Sequence, residues 1–528
     1  MPADSALYAR LNDKWHTTCK ILFGKEIGEL ARYKEWLMEG LEPFEKRKSS
    51  ISGKEVVAVG EYPKGAPFIS FDEIDYARKF KPLSINEMKD IDSIVSAVKE
   101  RAAFCGNTIL GNSSHCEEST GLEDCNFMLG CHTFHTSQDM AYCTIGREVK
   151  ASFGSSVIGE SSFSIKGHNN WRTSRCLCDQ RVYESNDIVY SDYLDGCTEC
   201  LFCFGLQGKR RMVGNAQLGE NEYAKVKEKL LSDIADELEA KGRAPTLIEL
   251  VPNAPLKLSK PLTKKKALQF DESKVQAAFD ETCGIVLGRK IGSVRDYKSY
   301  LTHHIRNIKS MKSAVSNEDI YVGGYRLDIN LAKSGRAVKL EELREICGER
   351  KWPEGIEADK LTLANIGKLI EPVAVFCTEE YLLSSNAAES STVHYGNNIL
   401  CCSRAYHAKD SAYSCWPRDC DHMFGCDATR NSSFCLNCYN SYKLSRCLEV
   451  DTSQNCTGCL FCHNCENVHD SMFCFNVKNL RYAIGNVEVG KEEFMRIKKL
   501  VLSEITLALE KKKDYPVGIY NIARTGKR

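Results

Sequence analysis

The stretch CLNCYNSYKLSRCLEVDTSQNCTGCLFC, residues 435–462, repeats one short pattern every twelve residues. Cys435, Cys447 and Cys459 each begin a mostly apolar tetrad, and the tetrad MFGC at Met423 precedes them at the same spacing. Asn, Ser, Asp, Gly and Thr, which favour turns, fill the intervals between the tetrads. Short apolar strands, polar turns and a strict period without a helical pattern predict a β-solenoid.

Tetrads beginning at every twelfth position from 116 to 212 follow the same period. The second position of each tetrad is apolar in eight of nine cases, and Glu117 is the exception. The eight are Leu129, Ala141, Phe153, Ile165, Leu177, Val189, Leu201 and Val213. A twelve-residue circuit at about 3.3 Å per residue has a perimeter of roughly 40 Å, which leaves a narrow interior. We expect Cys and Ser where two faces meet, and Leu and Phe in a wider interior layer. A β-meander, or coils of twice this length, would give the same lattice.

The chain matches itself at two offsets. CKILFGKEIGELARYKEWL, from Cys19, aligns with CGIVLGRKIGSVRDYKSYL, from Cys283, at an offset of 264 residues. CFGLQGKRRMVGNAQLGENEY (203–223) aligns with CFNVKNLRYAIGNVEVGKEEF (474–494) at an offset of 271 residues. The predicted fold class is an α+β tandem duplication. Each copy has a small α+β head, a Cys-rich β-solenoid of about twelve-residue period and a C-terminal amphipathic helix.

The predicted boundaries follow from these matches. They are a first head at 1–100, a first solenoid at 101–219, a helix and linker at 220–275, a second head at 276–390, a second solenoid at 391–490, and a C-terminal helix with a basic tail at 491–528.

The cysteine runs allow two interpretations. Cys456, Cys459, Cys462 and Cys465 form C-x2-C-x2-C-x2-C, and the first copy has the shorter run Cys197, Cys200 and Cys203. Zinc and iron–sulfur clusters use closely spaced cysteines, so these residues are candidate metal ligands. The last step differs from the ferredoxin spacing C-x2-C-x2-C-x3-C-P, and zinc usually takes two well-separated pairs.

The other interpretation treats cysteine as a small apolar filler. The chain has 27 cysteines, and Val450 stands in a column that is otherwise cysteine at Cys426, Cys438 and Cys462. A valine suits a packing position and cannot be a ligand. We therefore expect no cofactor, with zinc or iron–sulfur as the alternative. Cys125 and Cys131 with His132 and His135 form a further candidate ligand set.

Composition restricts the class of function. Lys plus Arg and Asp plus Glu are both 71, so no global charge attracts nucleic acid or an anionic membrane. No apolar run reaches the ~18 residues of a membrane span, and the polar start MPADSALYARLNDKWH lacks a signal-peptide core. We expect a cytoplasmic protein, in a reducing compartment and without membrane association. Phosphate-loop, dinucleotide and zinc-protease motifs are absent from the sequence, which argues against an enzyme.

Basic segments favour a minor alternative, a factor associated with RNA or a ribonucleoprotein. These segments are KPLTKKK at 260–266 in the linker and EKKKDYPVGIYNIARTGKR at 510–528 in the tail. Solvated surface is the simpler interpretation, since the chain lacks a dense stripe of aromatic and basic residues.

Two stretches carry a resemblance. RKSSISGKEVVAVGEYPKGAPFISFDEID (47–75), followed by the cysteine repeats and by LRYAIGNVEVGKEEF (480–494), resembles uncharacterised Cys-rich repeat proteins found in genomes of uncultivated bacteria and some viruses. This resemblance implies no particular function. Ser49 and Ser50 stand where the group tends to have a cysteine, and its C-x-x-C-R segment is missing here.

The expected function is a non-enzymatic structural or accessory subunit. Solenoids present long faces that bind other proteins, and two copies would make the subunit bivalent. We expect protein partners in a larger assembly. The sequence leaves the oligomeric state open.

Elemental analysis of anaerobically purified protein separates the two interpretations of the cysteines. The filler interpretation predicts substoichiometric zinc and iron, and an unchanged thermal unfolding midpoint after chelation. Near-stoichiometric metal whose removal unfolds the chain would instead establish the metal site.

Overall fold

The computed structural model describes residues 6–84, 88–252, 256 and 269–522. The basic linker segment 260–266 and the end of the tail, 523–528, lie outside the described residues. The helices of the described residues are α1 (Ala6–Phe23), α2 (Lys34–Met38), α3 (Ile91–Val98), α4 (Glu220–Lys241), α5 (Leu247–Leu250), α6 (Glu272–Val286), α7 (Lys298–Leu301), α8 (Arg326–Leu331), α9 (Leu340–Ile346), α10 (Ile366–Ile370) and α11 (Lys491–Lys512).

A left-handed backbone conformation recurs at every third residue. From residue 115 to residue 214 each such residue has φ between +46° and +66°, and from residue 395 to residue 485 each has φ between +44° and +71°. Residues other than glycine rarely adopt this backbone conformation, which costs about 1–3 kcal/mol per residue. The chain therefore turns after each triplet, and the residue that follows each left-handed residue is directed inward.

Parallel pairing at a twelve-residue register builds the first stack, residues 109–217. Met140, for example, pairs with Met128 on one side and with Ser152 on the other. Each coil gives one strand to each of two sheets. The outer sheet comprises Ser114–Glu117, Asn126–Leu129, Gln138–Ala141, Lys150–Phe153, Ser162–Ile165, Ser174–Leu177, Asn186–Val189, Thr198–Leu201, Arg210–Val213 and the antiparallel Ala216–Gln217. The inner sheet comprises Ile109–Leu110, Thr120–Glu123, His132–His135, Thr144–Arg147, Ser156–Gly159, His168–Trp171, Gln180–Tyr183, Asp192–Asp195 and Phe204–Gln207.

The second stack, residues 380–478, keeps this register with longer strands that bend round the corners. Cys435 pairs with Cys447, and Val450 pairs with Cys462. Its strands are Glu380–Leu382, Ser385–Ala388, Thr392–His394, Asn397–Leu400, Ala405–Ala412, Arg418–Phe424, Ser433–Leu436, Tyr442–Asp451, Gln454–Thr457, Leu460–Glu466 and Phe475–Lys478. The chain is thus an α+β structure, with helices and many parallel strands in stacked, solenoid-like sheets.

The short hairpins and strand pairs lie outside the stacks. They are Glu45–Lys48 with Glu55–Ala58, Phe68–Ser70 with Phe104–Gly106, Lys309–Lys312 with Asp319–Val322, Ala337–Val338 with Phe376–Cys377, and Ala483–Ile484 with Val487–Glu488.

The inward triplet position explains the C-x2-C runs. Cys197, Cys200 and Cys203 occupy consecutive inward positions of one coil, and all three side chains are fully buried. All 27 cysteines are free, and every one except Cys116 is buried. Because each coil directs one side chain inward every three residues, the cysteine spacing reproduces the geometry of the coil.

Inward Ser and Cys side chains also satisfy the backbone. Ser119 Oγ donates to the Glu117 carbonyl at 2.7 Å and accepts from the Cys131 amide at 3.0 Å. Cys131 Sγ in turn lies 3.4 Å from the Leu129 carbonyl and 3.7 Å from the Met140 carbonyl. A buried backbone group without a partner costs about 1–3 kcal/mol, so a small side chain that hydrogen-bonds suits this position better than alanine.

The sequence predicted that the column of large apolar residues lies in the interior. In the structure this column lies on the outside of the stack. Phe153 is directed outward and packs edge-on against Trp15 of α1, with ring centroids 5.3 Å apart. Leu129, Ile165 and Leu177 belong to the same core under α1 and α4. Only one residue of each triplet reaches the narrow interior, so the larger side chains form the interface with the helices instead.

The second stack repeats this packing. Phe424 packs against Phe279 of α6 with centroids 5.1 Å apart, and Leu436 and Leu448 continue the column. Helix α11 joins the same core through Phe494. One sheet face of each stack is therefore covered by helices.

In the structure the two heads comprise residues 45–106 and 309–377, and each contacts the stack from the other half of the chain. Phe104 of the first head packs against Phe475 of the second stack with centroids 6.2 Å apart. Phe376 of the second head packs against Phe204 of the first stack with centroids 6.0 Å apart. Each head from residues 45–106 or 309–377 thus closes the C-terminal end of the other stack, and the two stacks are held together reciprocally.

A matched asparagine ends each stack. Asn215 exchanges two hydrogen bonds with the Phe204 backbone, both 2.8 Å. Asn486 does the same with Phe475, at 2.8 and 2.9 Å. The amide side chain replaces the next coil and satisfies the last exposed backbone groups.

Replacing either terminal asparagine should destabilise the chain. We expect Asn215→Ala and Asn486→Ala each to lower the free energy of unfolding by ~2–4 kcal/mol, because two buried backbone groups lose their partners. Urea denaturation followed by circular dichroism measures this loss.

Asn467→Ala is the control, since this asparagine lies in an exposed hydrogen-bonded column. Losses in the two cap variants no larger than in Asn467→Ala would contradict the capping role.

Candidate binding cleft

A cleft of about 800 Å³ separates the uncovered faces of the two stacks. It extends from Tyr62 and Tyr76 in the first head to Leu343 and Arg344 in the second head. The opposite faces carry helices, so this cleft is the large concave surface of the described residues.

Two columns of side chains at twelve-residue spacing line the cleft. The first stack contributes Glu123, His135, Arg147, Gly159, Trp171, Tyr183, Asp195 and Gln207. The second stack contributes Leu382, His394, Tyr406, Arg418, Arg430, Tyr442, Gln454, Glu466 and Lys478. Successive members of a column are about 4.8 Å apart because they belong to adjacent coils.

The columns run in opposite directions. Arg430 Nη2 lies 2.5 Å from His135 Nε2, whereas Tyr183 lies 3.5 Å from Glu380. A residue near the start of the first stack thus faces a residue near the end of the second stack. Arg147 and Arg418, which are 271 residues apart in the chain, come together near the middle.

The middle of the cleft is rich in arginine. The nearest carboxylate to Arg418 is the Asp419 Oδ2 atom at 3.6 Å, and Arg147 reaches Glu160 at 3.2 Å. Burial lowers the pKa of Arg147, and the positive charge of Arg418 lowers it further. Burial likewise lowers the pKa of Arg430, so this region concentrates positive charge in a poorly solvated place.

Trp171 lies over Gly159 and beneath Arg147. A Cβ atom at position 159 would come within 2.2 Å of the indole Cζ3, so only glycine admits the ring here. The Arg147 guanidinium stands 4.5 Å from the indole centroid, which is cation–π geometry. Tyr442 occupies the matching position in the second stack, with Arg430 5.6 Å from its ring.

The end of the cleft near the second head is acidic. Glu380 accepts hydrogen bonds from Tyr193 at 2.8 Å and Tyr183 at 3.5 Å, and His394 Nε2 lies 3.0 Å away. Burial alone would raise the pKa of Glu380, but His394 and Tyr193 outweigh burial and lower it. The carboxylate is therefore ionised at neutral pH.

A buried ionic cluster holds the two stacks beside the cleft. Asp328 accepts from Arg404 of the second stack at 2.8 Å and lies 3.1 Å from His168 of the first stack. Burial opposes ionisation of Asp328, yet Arg404 and His168 keep its pKa well below the usual range. Tyr325 stacks on Arg404 at 4.0 Å and fills the space beside it.

Of the candidate metal ligands, Cys465 and His135 are among the residues that line the cleft, and the other cysteines lie inside the stacks. Cys456, Cys459, Cys462 and Cys465 occupy the four inward positions of one coil, as Cys197, Cys200 and Cys203 do in the first stack. Their Sγ atoms face backbone carbonyls; Cys459 Sγ, for example, lies 3.2 Å from the Val468 oxygen.

Tetrahedral zinc needs S···S distances of roughly 3.8 Å. Across the described residues, only Asp410, Asp421 and His422 place three ligand atoms within 4.8 Å of one another. Cys125 and Cys131 are directed into the first stack, whereas His135 faces the cleft. These cysteine sets would have to rearrange to bind an ion, and the metal hypothesis stays a prediction.

Protein-family profiles, curated proteins and solved structures were all compared with the chain, and none matches. Along the described ranges, no helix combines the length and apolar character needed to cross a lipid bilayer.

Of the cleft residues, the sequence singled out His135 and Cys465, and it did so only as candidate metal ligands. Its twelve-residue lattice contained the cleft residues, since the column E, H, R, G, W, Y, D, Q begins at Glu123 with the same period as the cysteines. A column of side chains that is both polar and aromatic is the sequence signal that could have indicated a binding surface. The sequence did not show that this column faces a second one across a cleft.

Removing the buried carboxylate should separate the stacks. We expect Asp328→Asn to lower the free energy of unfolding by ~3–5 kcal/mol, because Arg404 would be left as a buried charge without its counter-ion. Urea denaturation at pH 7 measures the change.

Asp319→Asn is the matched control, since Asp319 pairs with Lys312 at the surface and such pairs contribute ~0–1 kcal/mol. Similar losses in both variants would contradict a role for Asp328 in joining the stacks.

Proposed function

We propose that this protein is a non-enzymatic accessory subunit that holds an extended polypeptide segment of a partner protein in the cleft between its two stacks. One observation carries the proposal: the uncovered faces of both stacks meet at an 800 Å³ cleft lined by two regular columns of side chains. Because helices cover the opposite face of each stack, the cleft is the surface that is open to a partner.

The dimensions of the cleft suit an extended chain. Nine coils at about 4.8 Å give a length of roughly 40 Å, which accommodates about twelve residues of extended polypeptide. Trp171, Tyr183, Tyr406 and Tyr442 line the cleft and combine apolar surface with hydrogen-bonding groups. Such aromatic residues are enriched at protein interfaces and dominate their binding energy.

The charge pattern favours polypeptide over nucleic acid. Arg147, Arg418 and Arg430 are balanced along the cleft by acidic residues such as Glu380 and Glu466. Nucleic-acid sites neutralise many phosphates and are strongly positive along their whole length. A cleft with a cationic centre and an acidic end is better suited to the alternating chemistry of a protein segment.

We also propose that the chain is a tandem duplication of a β-solenoid module with an exchanged head. The paired contacts Phe104–Phe475 and Phe204–Phe376, and the terminal asparagines Asn215 and Asn486, support this proposal. Duplication would give a pseudo-symmetric subunit with two related binding surfaces. Buried, reduced thiols suit the cytoplasm.

Selection from random dodecapeptides tests the proposed function. Phage displaying twelve-residue peptides are selected on the immobilised protein, in parallel with selection of random-sequence RNA. We expect enriched peptides whose affinity falls at least tenfold in the double variant Trp171→Ala, Tyr442→Ala, because both aromatic faces of the cleft are removed.

Leu507→Ala, at an exposed position on α11, is the control and should leave affinity unchanged. The proposal fails if RNA alone is enriched. It also fails if the selected peptides bind the double variant as well as the parent protein, since they would then lie elsewhere.

A further inference from the structure

We propose that Arg147, Arg418 and Arg430 form a binding site for a doubly charged oxyanion, phosphate in chemical class, at the middle of the cleft. The proposal rests on the proposed function, because this anion would belong to the segment that the cleft holds. It goes further by assigning the chemistry that the occupant must carry.

Geometry supplies the first argument. Two of the guanidinium groups come from the second stack and one from the first, so the site exists only where the stacks meet. Arg147 Nε is buried and, among the described residues, has no hydrogen-bond partner. A buried donor without a partner is costly, and an arginine fork matches the oxygen spacing of phosphate.

His135 separates Arg430 from the nearest acid. Its Nδ1 atom lies 2.8 Å from Glu123, and its Nε2 atom accepts from Arg430 Nη2 at 2.5 Å. Burial, reinforced by the charge of Arg430, lowers the pKa of His135 to about 4, so the imidazole is neutral at pH 7. Glu123 is thereby bound by the neutral imidazole of His135, and Arg430 keeps N–H groups that can donate hydrogen bonds toward the cleft.

The acid beside Arg147 is shared with another cation. Glu160 lies 3.2 Å from Arg147 but only 2.7 Å from Arg172, which also contacts Glu184 at 2.9 Å. Arg172 therefore has two carboxylate partners, whereas the central arginines have more distant or shared ones. An incoming dianion would accept hydrogen bonds from the three central guanidinium groups. It would not displace an existing close ion pair.

Isothermal titration of the full chain with inorganic phosphate tests this site. The titration is performed at pH 8, where phosphate is mainly the dianion, with ionic strength fixed by potassium chloride and acetate as the singly charged probe. We expect one saturable phosphate site, and an affinity for acetate at least tenfold weaker. Arg418→Gln and Arg147→Gln should each weaken phosphate binding at least tenfold, since each removes a charged donor.

Arg175→Gln is the matched control: Arg175 pairs with Asp187 at 2.7 Å outside the cleft, and its replacement should change phosphate affinity less than twofold. Arg418→Lys keeps the charge and should retain part of the binding if folding is intact. The proposal is overturned if phosphate shows no saturable binding, if acetate binds equally well, or if Arg418→Gln and Arg175→Gln behave alike. Selected peptides that still bind when phosphate does not would leave the cleft function standing and remove this site alone.

Discussion

The left-handed residue at every third position is the constraint on which the structure depends. It makes the chain turn after each triplet, so that one side chain in three faces a narrow interior and the others face outward. The conformation is unfavourable for most side chains, and only the continuous hydrogen bonds between coils compensate for it. Inward Ser and Cys extend that compensation, because residues such as Ser119 hydrogen-bond the backbone of their own coil and of the next one.

The same constraint determines what the outside of each stack can do. The outward column containing Phe153 is apolar and is covered by α1, while the column containing Arg147 and Trp171 is polar and aromatic and stays open. A solenoid-like stack thus has one face that helices cover and one that lines the cleft. The exchange of heads brings the two open faces opposite each other, and the Asp328 cluster fixes their separation.

Cysteine abundance has a structural account in this arrangement. A thiol is small enough for the interior, is a weak hydrogen-bond donor, and loses little when taken out of water. Burial raises the pKa of Cys125 to about 11, and the same cause acts on Cys176 and Cys435. These three thiols are protonated at neutral pH, and their Sγ atoms contact backbone carbonyls.

The sequence by itself determined the period and the strand tetrads, because these depend on contacts between residues twelve apart. It did not show that α1 and α6 cover the stacks, and it left Cys459 and its neighbours open between packing and metal binding. It misplaced the column of Leu129 and Phe153, since periodicity alone does not distinguish the interior of a coil from the surface under a helix. Only the tertiary structure decided that the heads are exchanged and that Arg147 faces Arg418. Those contacts join residues hundreds of positions apart, and no local pattern encodes which two columns will face each other across a cleft.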